Sequence, residues 1–333
     1  MSGIRDPPPP VIGVCHTISS MVDAALIADA RRCLAASFPQ TPLVPAASLC
    51  TATRAVYLKD ETGLPTGSFK VRGALFALLR QLGRGPVTEV VAASTGNHGA
   101  AVAYAAQQAR LPARIFLPVN PNPVKAARIR DAGAALVESG EDLSDAIDAA
   151  AEYAARTGAY FLHDARDADI PAGTATIGAE ILEQLRDVDA VFVPMGDTAL
   201  IRGVAAALRM SPRKVHVTGV VAANAPAYFL SWQAGVVVRT AEAPTAADGL
   251  AVRRPLAANV ADVRVLVDEV VMVSEQEMFD AVVSLHRGEG LVAEPSGAAS
   301  VAALRRDATR VGKCVAVVTG QNIAPDLRAR LLG

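Results

Sequence analysis

The sequence predicts an α/β protein built on mostly parallel β-sheets with helices on both faces. Short apolar segments alternate along the chain with segments of helical spacing. These short segments are apolar throughout rather than at every second residue, which is typical of strands buried on both faces of a parallel sheet. With 333 residues, 51% of them hydrophobic, the chain is long enough for a large core shared between two domains.

The first elements along the chain are a helix, a strand and a second helix. Apolar spacing predicts the first helix over residues 19–38, and alternation predicts a strand over 55–61. The turn TGLPTG follows, and the second helix begins near Lys70. Thr66 and Ser68 precede this helix and are candidates for its N-cap.

Residues 87–164 form a candidate small α/β domain, inserted in a larger one. The pattern gives this segment strands at 89–94, 113–118, 134–139 and 159–163, and helices from about Gly96, over 122–133 and over 142–157. The large domain then consists of residues 1–86 and 165–333.

The alternation continues after the inserted segment. Its predicted elements are helices at 176–185, 199–209, 274–290 and 296–307, and strands at 190–195, 214–221 and 314–318. The segment 235–255 interrupts this rhythm and is predicted to be a loop with turns.

The composition excludes several classes of partner and compartment. A formal net charge of −1 offers no basic surface for nucleic acid or for an anionic membrane. The four cysteines are scattered, which argues against a zinc cluster or a disulfide framework and for a reducing compartment. The N-terminus lacks the apolar core of a signal peptide, and no apolar stretch is long enough to span a membrane. We therefore expect a cytoplasmic protein.

Lysine is an unusual residue at the start of the second helix. Only five of the 32 basic residues of the chain are lysines, and one of them is Lys70. The N-terminal end of a helix is the positive end of its dipole, where cations are disfavoured. With Arg72 close in sequence, we expect the charged form of the Lys70 amine to be destabilised.

Polar residues follow three of the predicted strands, at the positions where ligands gather in open α/β sheets. The three segments read STGNHG after the strand at 89–94, GDTALIRG after the strand at 190–195, and TGQN after the strand at 314–318. The first two lead into helix N-termini, whose free N–H groups suit anions. A glycine-containing turn between a strand and a helix is also ordinary βα construction, so each turn alone indicates little.

Five motifs in this order resemble those of fold type II pyridoxal-phosphate enzymes, and most closely the branch of serine and threonine dehydratases and serine racemases. The motifs are TGSFKVRGA at 66–74, STGNHG at 94–99, VPMGDTALIRG at 193–203, EPSGAA at 294–299 and TGQN at 319–322. The resemblance extends from residue 40 to the end of the chain. It implies the fold of the tryptophan synthase β-subunit: two open, twisted, mostly parallel sheets, with the small domain closing over the substrate.

The resemblance also implies pyridoxal 5′-phosphate as the cofactor and a role for each matching residue. Lys70 holds the cofactor as a Schiff base and, once freed, removes the α-proton of the substrate. Lys59 is the rival nucleophile, but it lies in a predicted strand ahead of the motif. The resemblance implies that the substrate contacts Ser94, Thr95, Asn97 and His98. It places Asn97 also against the ring hydroxyl oxygen of the cofactor, Glu294 near the ring and Thr319 against the pyridine nitrogen. It implies that the cofactor phosphate contacts Gly196, Asp197, Thr198, Ala199 and Leu200.

Two features depart from the pattern of the family. The phosphate loop of the family usually has consecutive glycines where this chain has Gly196, Asp197, Thr198 and Ala199. Asp197 should repel a phosphate unless it points away or caps the helix, and the Thr198 hydroxyl could compensate.

The second departure concerns metal, because residues 219–232 contain no carboxylate where some relatives bind a divalent cation. We therefore expect no metal at that site.

The activity implied is dehydration of a β-hydroxy amino acid, such as serine or threonine, to a 2-oxo acid and ammonia by a homodimer. The alternatives are an amino-acid racemase and a dehydratase of hydroxyectoine breakdown, which would act on a larger hydroxy amino acid. A β-replacement enzyme fits less well, because its loop has threonine in place of His98. A binding module without catalysis is the alternative from another class.

Thr95 bears on the choice between dehydratase and racemase. Serine racemases have a serine before the GNH of this loop, which handles the proton on the face of the cofactor opposite the lysine, whereas many threonine dehydratases have alanine there. Thr95 keeps a hydroxyl but adds a methyl group and a stiffer χ1. Its hydroxyl is equally suited to capping the helix that begins near Gly96. We expect dehydration to dominate.

Overall fold

The computed structural model describes residues 22–121 and 123–333 of the chain. The helices in this part are α1 Ala24–Ala35, α2 Lys70–Arg84, α3 Asn97–Gln108, α4 Pro123–Asp131, α5 Leu143–Thr157, α6 Ile170–Gln184, α7 Ala199–Leu208, α8 Ala227–Ala234, α9 Ala257–Leu266, α10 Glu275–Glu289, α11 Pro295–Arg306 and α12 Pro325–Leu332. The strands are β1 Leu43–Pro45, β2 Arg54–Asp60, β3 Val90–Ala93, β4 Ala113–Leu117, β5 Ala135–Glu138, β6 Tyr160–Phe161, β7 Ala190–Pro194, β8 His216–Ala222, β9 Glu269–Val273 and β10 Gly312–Val318.

The larger sheet has six strands in the order β1-β2-β10-β7-β8-β9. Only β1 runs antiparallel to its neighbour, and the other pairs are parallel. All five residues of β7 are buried, as the continuous apolar run of this strand predicts for the centre of a sheet covered on both faces. Helices α6 and α7 pack on one face and α10 and α11 on the other, each with its own apolar cluster.

The smaller sheet has four parallel strands in the order β5-β4-β3-β6. All four strands, and the helices α3, α4 and α5 between them, lie in the segment that the sequence predicts as an inserted unit. The predicted α/β fold with two mostly parallel sheets is therefore confirmed. The domain boundaries at residues 86/87 and 164/165 stay predictions.

Five elements escape the sequence pattern, and four of them, all except α12, do so for identifiable reasons. Strand β1 has only three residues and includes Pro45, so its existence depends on antiparallel pairing with β2. Helix α9 ends at Leu266 and β9 begins at Glu269. Neither of the two residues between them is glycine or proline, so no turn signal in the sequence marks the boundary. Helix α8 follows Pro226 in a stretch without a polar face, which leaves no helical periodicity to detect.

Helix α2 begins without a side-chain cap, contrary to the expectation for Thr66 and Ser68. The residue at the cap position is Phe69, and it makes no side-chain cap hydrogen bond. The Thr66 and Ser68 hydroxyls are buried and meet no hydrogen-bond partner in the described chain. Ser68 instead pairs its backbone with Gly320, so the residues before α2 extend toward the end of β10 rather than folding back on the helix.

Arg72 points away from Lys70 into a buried ion cluster, which corrects the expectation that its charge acts on the Lys70 amine. Its guanidinium donates to Glu61 at 2.7 and 3.0 Å and to Glu180 at 2.6 and 2.9 Å. Lys59 Nζ donates to Glu180 Oε2 at 2.6 Å. Two cations and two carboxylates therefore balance within the core, and Lys59 is occupied in this cluster rather than available as a nucleophile.

Within the described residues, no helix is both long and apolar enough to cross a membrane.

We expect Glu180→Gln to lower the free energy of unfolding by about 3 kcal/mol, because it leaves two buried cations, Arg72 and Lys59, with only Glu61 to balance them. Urea unfolding at neutral pH measures the loss. Glu183→Gln is the matched control, since Glu183 is 47% exposed and pairs with Arg31 at the surface. That exposed pair should contribute less than about 1 kcal/mol. Equal losses in the two variants would contradict the prediction.

Candidate functional site

A cavity of about 1050 Å³ opens where residues that follow strands of both sheets meet. Its wall includes every predicted site residue except Ala199. These residues are Lys70, Ser94, Thr95, Asn97, His98, Gly196, Asp197, Thr198, Leu200, Glu294 and Thr319. Ala199 lies at the start of α7, where its backbone N–H donates to Asp197 Oδ1 at 3.0 Å. The fold thus brings together motifs that are more than 200 residues apart.

Lys70 is the first residue of α2, and its amine faces two carboxylates in this cavity. Its Nζ contacts Asp197 Oδ2 and lies 3.3 Å from Asp164 Oδ2. Burial lowers the pKa of Lys70, but Asp197 and then Asp164 oppose this effect and together raise the pKa above its ordinary value. The expectation of a destabilised ammonium is therefore wrong for the unliganded chain, because the carboxylates outweigh the helix end.

Asn97 connects the STGNHG loop to two other motifs. Its Nδ2 donates to Glu294 Oε1 at 2.6 Å, and its Oδ1 accepts from Asn322 Nδ2 at 2.7 Å. Asn322 Nδ2 also donates to the Thr66 carbonyl at 2.9 Å, which extends the chain of bonds to the residues before Lys70. The side-chain amide of Asn97 is therefore held by its neighbours in one orientation at the cavity wall.

Ser94, rather than Thr95, bonds to the backbone at the start of α3. Ser94 Oγ accepts from the Gly96 N–H at 3.2 Å, and Gly96 at the cap position of α3 makes no side-chain cap bond. The interpretation of Thr95 as the cap of α3 is therefore wrong. Thr95 lines the cavity, so its hydroxyl remains a candidate for contact with a ligand.

His98 is buried and tied to the small sheet by its ring. The Nε2 atom lies 2.9 Å from the Leu162 carbonyl oxygen, so this nitrogen carries the proton. Burial lowers the pKa of His98. The ring is therefore neutral near pH 7, and only Nδ1 is left to accept a hydrogen bond.

The loop from Gly196 to Ala199 adopts a backbone suited to an anion despite its missing glycines. A Cβ on Gly196 would lie 2.0 Å from the Gly249 carbonyl oxygen, so only glycine fits there. Thr198 has a φ of +77° and leads directly into α7. The Asp197 carboxylate bonds to the Ala199 N–H at the start of α7 and to Lys70, so it caps the helix, which is one of the two arrangements that the sequence requires if a phosphate is to bind.

The Thr198 hydroxyl is the polar group in this loop that is available for a ligand. It is buried and meets no hydrogen-bond partner of normal geometry in the described chain, although the Tyr228 hydroxyl lies close enough to be affected by it. A buried hydroxyl without a partner is costly. Together with the N-terminus of α7, it provides a donor set that fits a phosphate group.

Sequence reasoning missed two residues of the site. Asp164 follows β6 and faces Lys70, and Asn322 follows β10 and holds Asn97. Both are polar residues just after a parallel strand, and this position is the signal by which they could have been found.

Among the described residues, no group of three or more His, Cys, Asp or Glu side chains could hold a metal ion. The absence of a metal from residues 219–232 stays a prediction.

Comparison with known proteins gives consistent results for sequence and structure. A family model described as pyridoxal-phosphate dependent enzyme matches residues 35–320. An L-threonine ammonia-lyase of Geobacter sulfurreducens is 39% identical over 270 residues, covering 80% of this chain and 67% of that protein. An L-threonine ammonia-lyase of Thermotoga maritima is 37% identical over 314 residues, covering 94% of this chain and 78% of that protein.

Two solved structures resemble the fold over almost its whole length. Maize serine racemase superimposes with a TM-score of 0.86 and 27% identity, covering 93% of this chain and 96% of that one. The processed form of threonine deaminase isoform 2 from Solanum lycopersicum superimposes with a TM-score of 0.84 and 27% identity, covering 94% of this chain and 94% of that one.

We expect Thr198→Gly to raise the free energy of unfolding of the cofactor-free protein by about 1 kcal/mol. Glycine removes the cost of a left-handed threonine and of a buried hydroxyl without a partner, and this gain exceeds its entropic penalty. Thr218→Gly is the control, because Thr218 in β8 also has a buried hydroxyl without a partner but lies in a strand. The control should lose stability in the same urea titration. A loss in both variants would contradict the prediction.

Proposed function

The chain belongs to the family of pyridoxal-phosphate-dependent enzymes, and from that premise we propose that it is an ammonia-lyase that dehydrates a β-hydroxy amino acid related to threonine or serine. The products are a 2-oxo acid and ammonia. The observation that carries the proposal is the position of Lys70, whose amine lies at the wall of a cavity beside the start of α7. The two ammonia-lyases at 37% and 39% identity support the same reaction.

The residues of the cavity fit pyridoxal phosphate. Lys70 would hold its aldehyde carbon, and Gly196, Thr198 and the N-terminus of α7 would hold its phosphate. Asn97 would bond the ring hydroxyl oxygen, with Glu294 near the ring. Thr319, which is buried directly after β10, would face the pyridine nitrogen. The buried Thr198 hydroxyl and the Gly196 backbone, which no larger residue could replace, support this placement of the phosphate.

The bound cofactor supplies an electron-withdrawing ring that stabilises negative charge at the substrate Cα. Lys70, as the base, takes the proton from Cα onto Nζ. The β-hydroxyl departs as water with a proton that the Lys70 ammonium so formed can return to it, and hydrolysis of the released enamine gives the 2-oxo acid and ammonia. A hydroxyl at Thr319 cannot protonate the pyridine nitrogen as a carboxylic acid would, so the ring withdraws electrons less strongly, which favours elimination over transamination.

The residues around the start of α3 would orient the substrate. The free N–H groups of the first turn of α3 lie beside Ser94 and Thr95 at the cavity wall and suit the substrate carboxylate. The neutral His98 ring would contribute its Nδ1 as an acceptor only. This arrangement would fix the carboxylate end of the amino acid.

The assembly and the location of the enzyme are part of the same proposal. We expect a homodimer, as the resemblance to the dehydratase branch implies, and a location in the cytoplasm. The three cysteines in the described part of the chain, Cys33, Cys50 and Cys314, are unpaired, which fits a reducing compartment.

Amino-acid racemisation is the second candidate function. The likeness to maize serine racemase and the position of Thr95 in the cavity favour it as a minor activity. The hydroxyl of Thr95 would have to exchange a proton with Cα on the face opposite Lys70.

The larger substrates of hydroxyectoine breakdown are an alternative within the dehydratase class, and a screen of hydroxy amino acids of increasing size addresses this alternative.

We expect Lys70→Ala to abolish both the visible absorbance of the bound cofactor and the release of 2-oxo acid. No other lysine amine lies at the wall of this cavity within the described chain. Absorbance spectra before and after borohydride reduction, together with a 2-oxo acid assay, measure the two losses. Lys214→Ala is the control, because its side chain is 80% exposed. A cofactor linkage that borohydride can still reduce in the Lys70→Ala protein would refute the assignment and direct attention to Lys59.

We expect the wild-type protein to dehydrate L-serine or L-threonine and to interconvert enantiomers slowly or not at all. Chiral chromatography of reactions started from L-serine and D-serine measures both activities. If Thr95 is a second acid or base, Thr95→Ala will lose turnover of D-serine and keep that of L-serine, whereas Thr95→Ser will retain both. Rapid interconversion by the wild type that disappears in Thr95→Ala would make racemisation the main activity.

A further inference from the structure

Two carboxylates converge on the amine of Lys70 from different parts of the fold. Asp197 lies between β7, an interior strand of the six-stranded sheet, and α7, and Asp164 follows β6 of the four-stranded sheet. The Lys70 amine contacts both, and the three side chains are between 14% and 29% exposed. A partly desolvated amine between two carboxylates is a stronger interaction than an exposed ion pair.

Asp197 is held in place independently of Lys70. One of its oxygens, Oδ1, accepts the Ala199 N–H at 3.0 Å, which leaves Oδ2 directed at the amine. The Asn259 side chain adds a bond to the Asp197 carbonyl at 3.3 Å, so backbone and side chain are both fixed. This carboxylate is therefore pre-oriented toward Lys70 rather than drawn to it from solution.

The other titratable groups around Lys70 do not replace these two carboxylates. His98 from α3 is neutral near pH 7, because burial lowers its pKa and its Nε2 bonds to a carbonyl. His163 lies against Asp164, with its Nδ1 3.5 Å from the carboxylate, and the same nitrogen contacts the Ala165 N–H. Glu294 before α11 bonds to Asn97. Asp164 and Asp197 are thus the groups in direct contact with the amine.

We propose that Asp197, together with Asp164, is a positioning residue that holds the Lys70 amine and controls its proton during catalysis. The proposal rests on the function proposed above, in which Lys70 is the base. The two carboxylates should assist proton abstraction and hinder attachment of the cofactor, and these opposite effects make the proposal testable.

In proton abstraction the carboxylates help. The Cα–H bond breaks, the proton forms a new N–H bond on Lys70, and the electron pair of the broken bond stays with the substrate. The new ammonium lies between Asp164 and Asp197, which stabilise it as it forms. Both carboxylates therefore make Lys70 a stronger base, in agreement with the raised pKa of this amine.

In attachment of the cofactor the carboxylates hinder. The neutral Nζ attacks an aldehyde carbon, the C=N bond forms and the aldehyde oxygen departs as water. An ammonium held by two carboxylates must first lose its proton, so a raised pKa lowers the fraction of reactive amine at neutral pH. Each unit of pKa corresponds to about a tenfold change in that fraction.

The experiment compares wild-type protein with Asp197→Asn and Asp164→Asn, each stripped of cofactor and reloaded. The rate of Schiff-base formation is followed by absorbance between pH 6 and pH 9 with two probes, pyridoxal phosphate and pyridoxal, which lacks the phosphate. Steady-state turnover of the reloaded enzymes gives kcat and KM. Asp148→Asn is the control, because it removes a carboxylate from the same cavity wall at a position in α5.

We expect Asp197→Asn to form the Schiff base with pyridoxal about tenfold faster at pH 7.5, with its pH midpoint about one unit lower, while kcat falls about tenfold at unchanged KM. Asp164→Asn should change in the same directions, and Asp148→Asn should leave the pH midpoint of loading unchanged. A general structural defect would slow both steps instead of accelerating one.

Three results would overturn the proposal. Faster loading with pyridoxal phosphate but not with pyridoxal would show that Asp197 acts on the phosphate rather than on Lys70. An unchanged pH midpoint in both variants would show that the carboxylates do not control the amine. A parallel fall of loading rate and kcat would indicate a structural role alone. If the wild type itself forms no Schiff base with either probe, the proposed function fails instead.

Discussion

The position of Lys70 depends on the buried ion pairs of the Arg72 guanidinium. Arg72 lies two residues after Lys70 on α2, almost fully buried, and bonds to Glu61 after β2 and to Glu180 on α6. These bonds fix the first turn of α2 against the six-stranded sheet and α6. Because residues two apart point to different sides of a helix, anchoring Arg72 in the core directs Lys70 to the cavity.

The same helix start explains why a cation is tolerated where the helix dipole disfavours it. Helix α2 has no side-chain cap and no acidic residue in its first turn. The missing negative charge comes from outside the helix, in Asp164 and Asp197, which face the Lys70 amine. A dipole effect at a helix end is about 1 kcal/mol, whereas two close carboxylates in a partly desolvated site contribute more, so the tertiary contacts decide the charge of this amine.

The phosphate loop shows how a departure from a glycine-rich pattern is accommodated. Gly196 is retained where the Gly249 carbonyl approaches, and Thr198 accepts a left-handed backbone at a cost of about 1–3 kcal/mol. In exchange the loop gains a buried hydroxyl and a carboxylate that caps α7 and reaches Lys70. The side chains of this loop therefore reach the amine of Lys70, which glycines cannot do.

The sequence by itself determined the α/β class, the two groups of parallel strands and the set of loops that line the cavity. Apolar runs and the sequence motifs around Lys70, Asn97 and Gly196 are local features, and they can be recognised without knowledge of long-range contacts. The tertiary structure alone decided that Arg72 points away from Lys70, that Ser94 rather than Thr95 bonds at the start of α3, and that Asp164 joins the site. Each depends on which distant groups lie within hydrogen-bond distance, because a pKa or a side-chain orientation is set by partners that spacing along the chain does not specify.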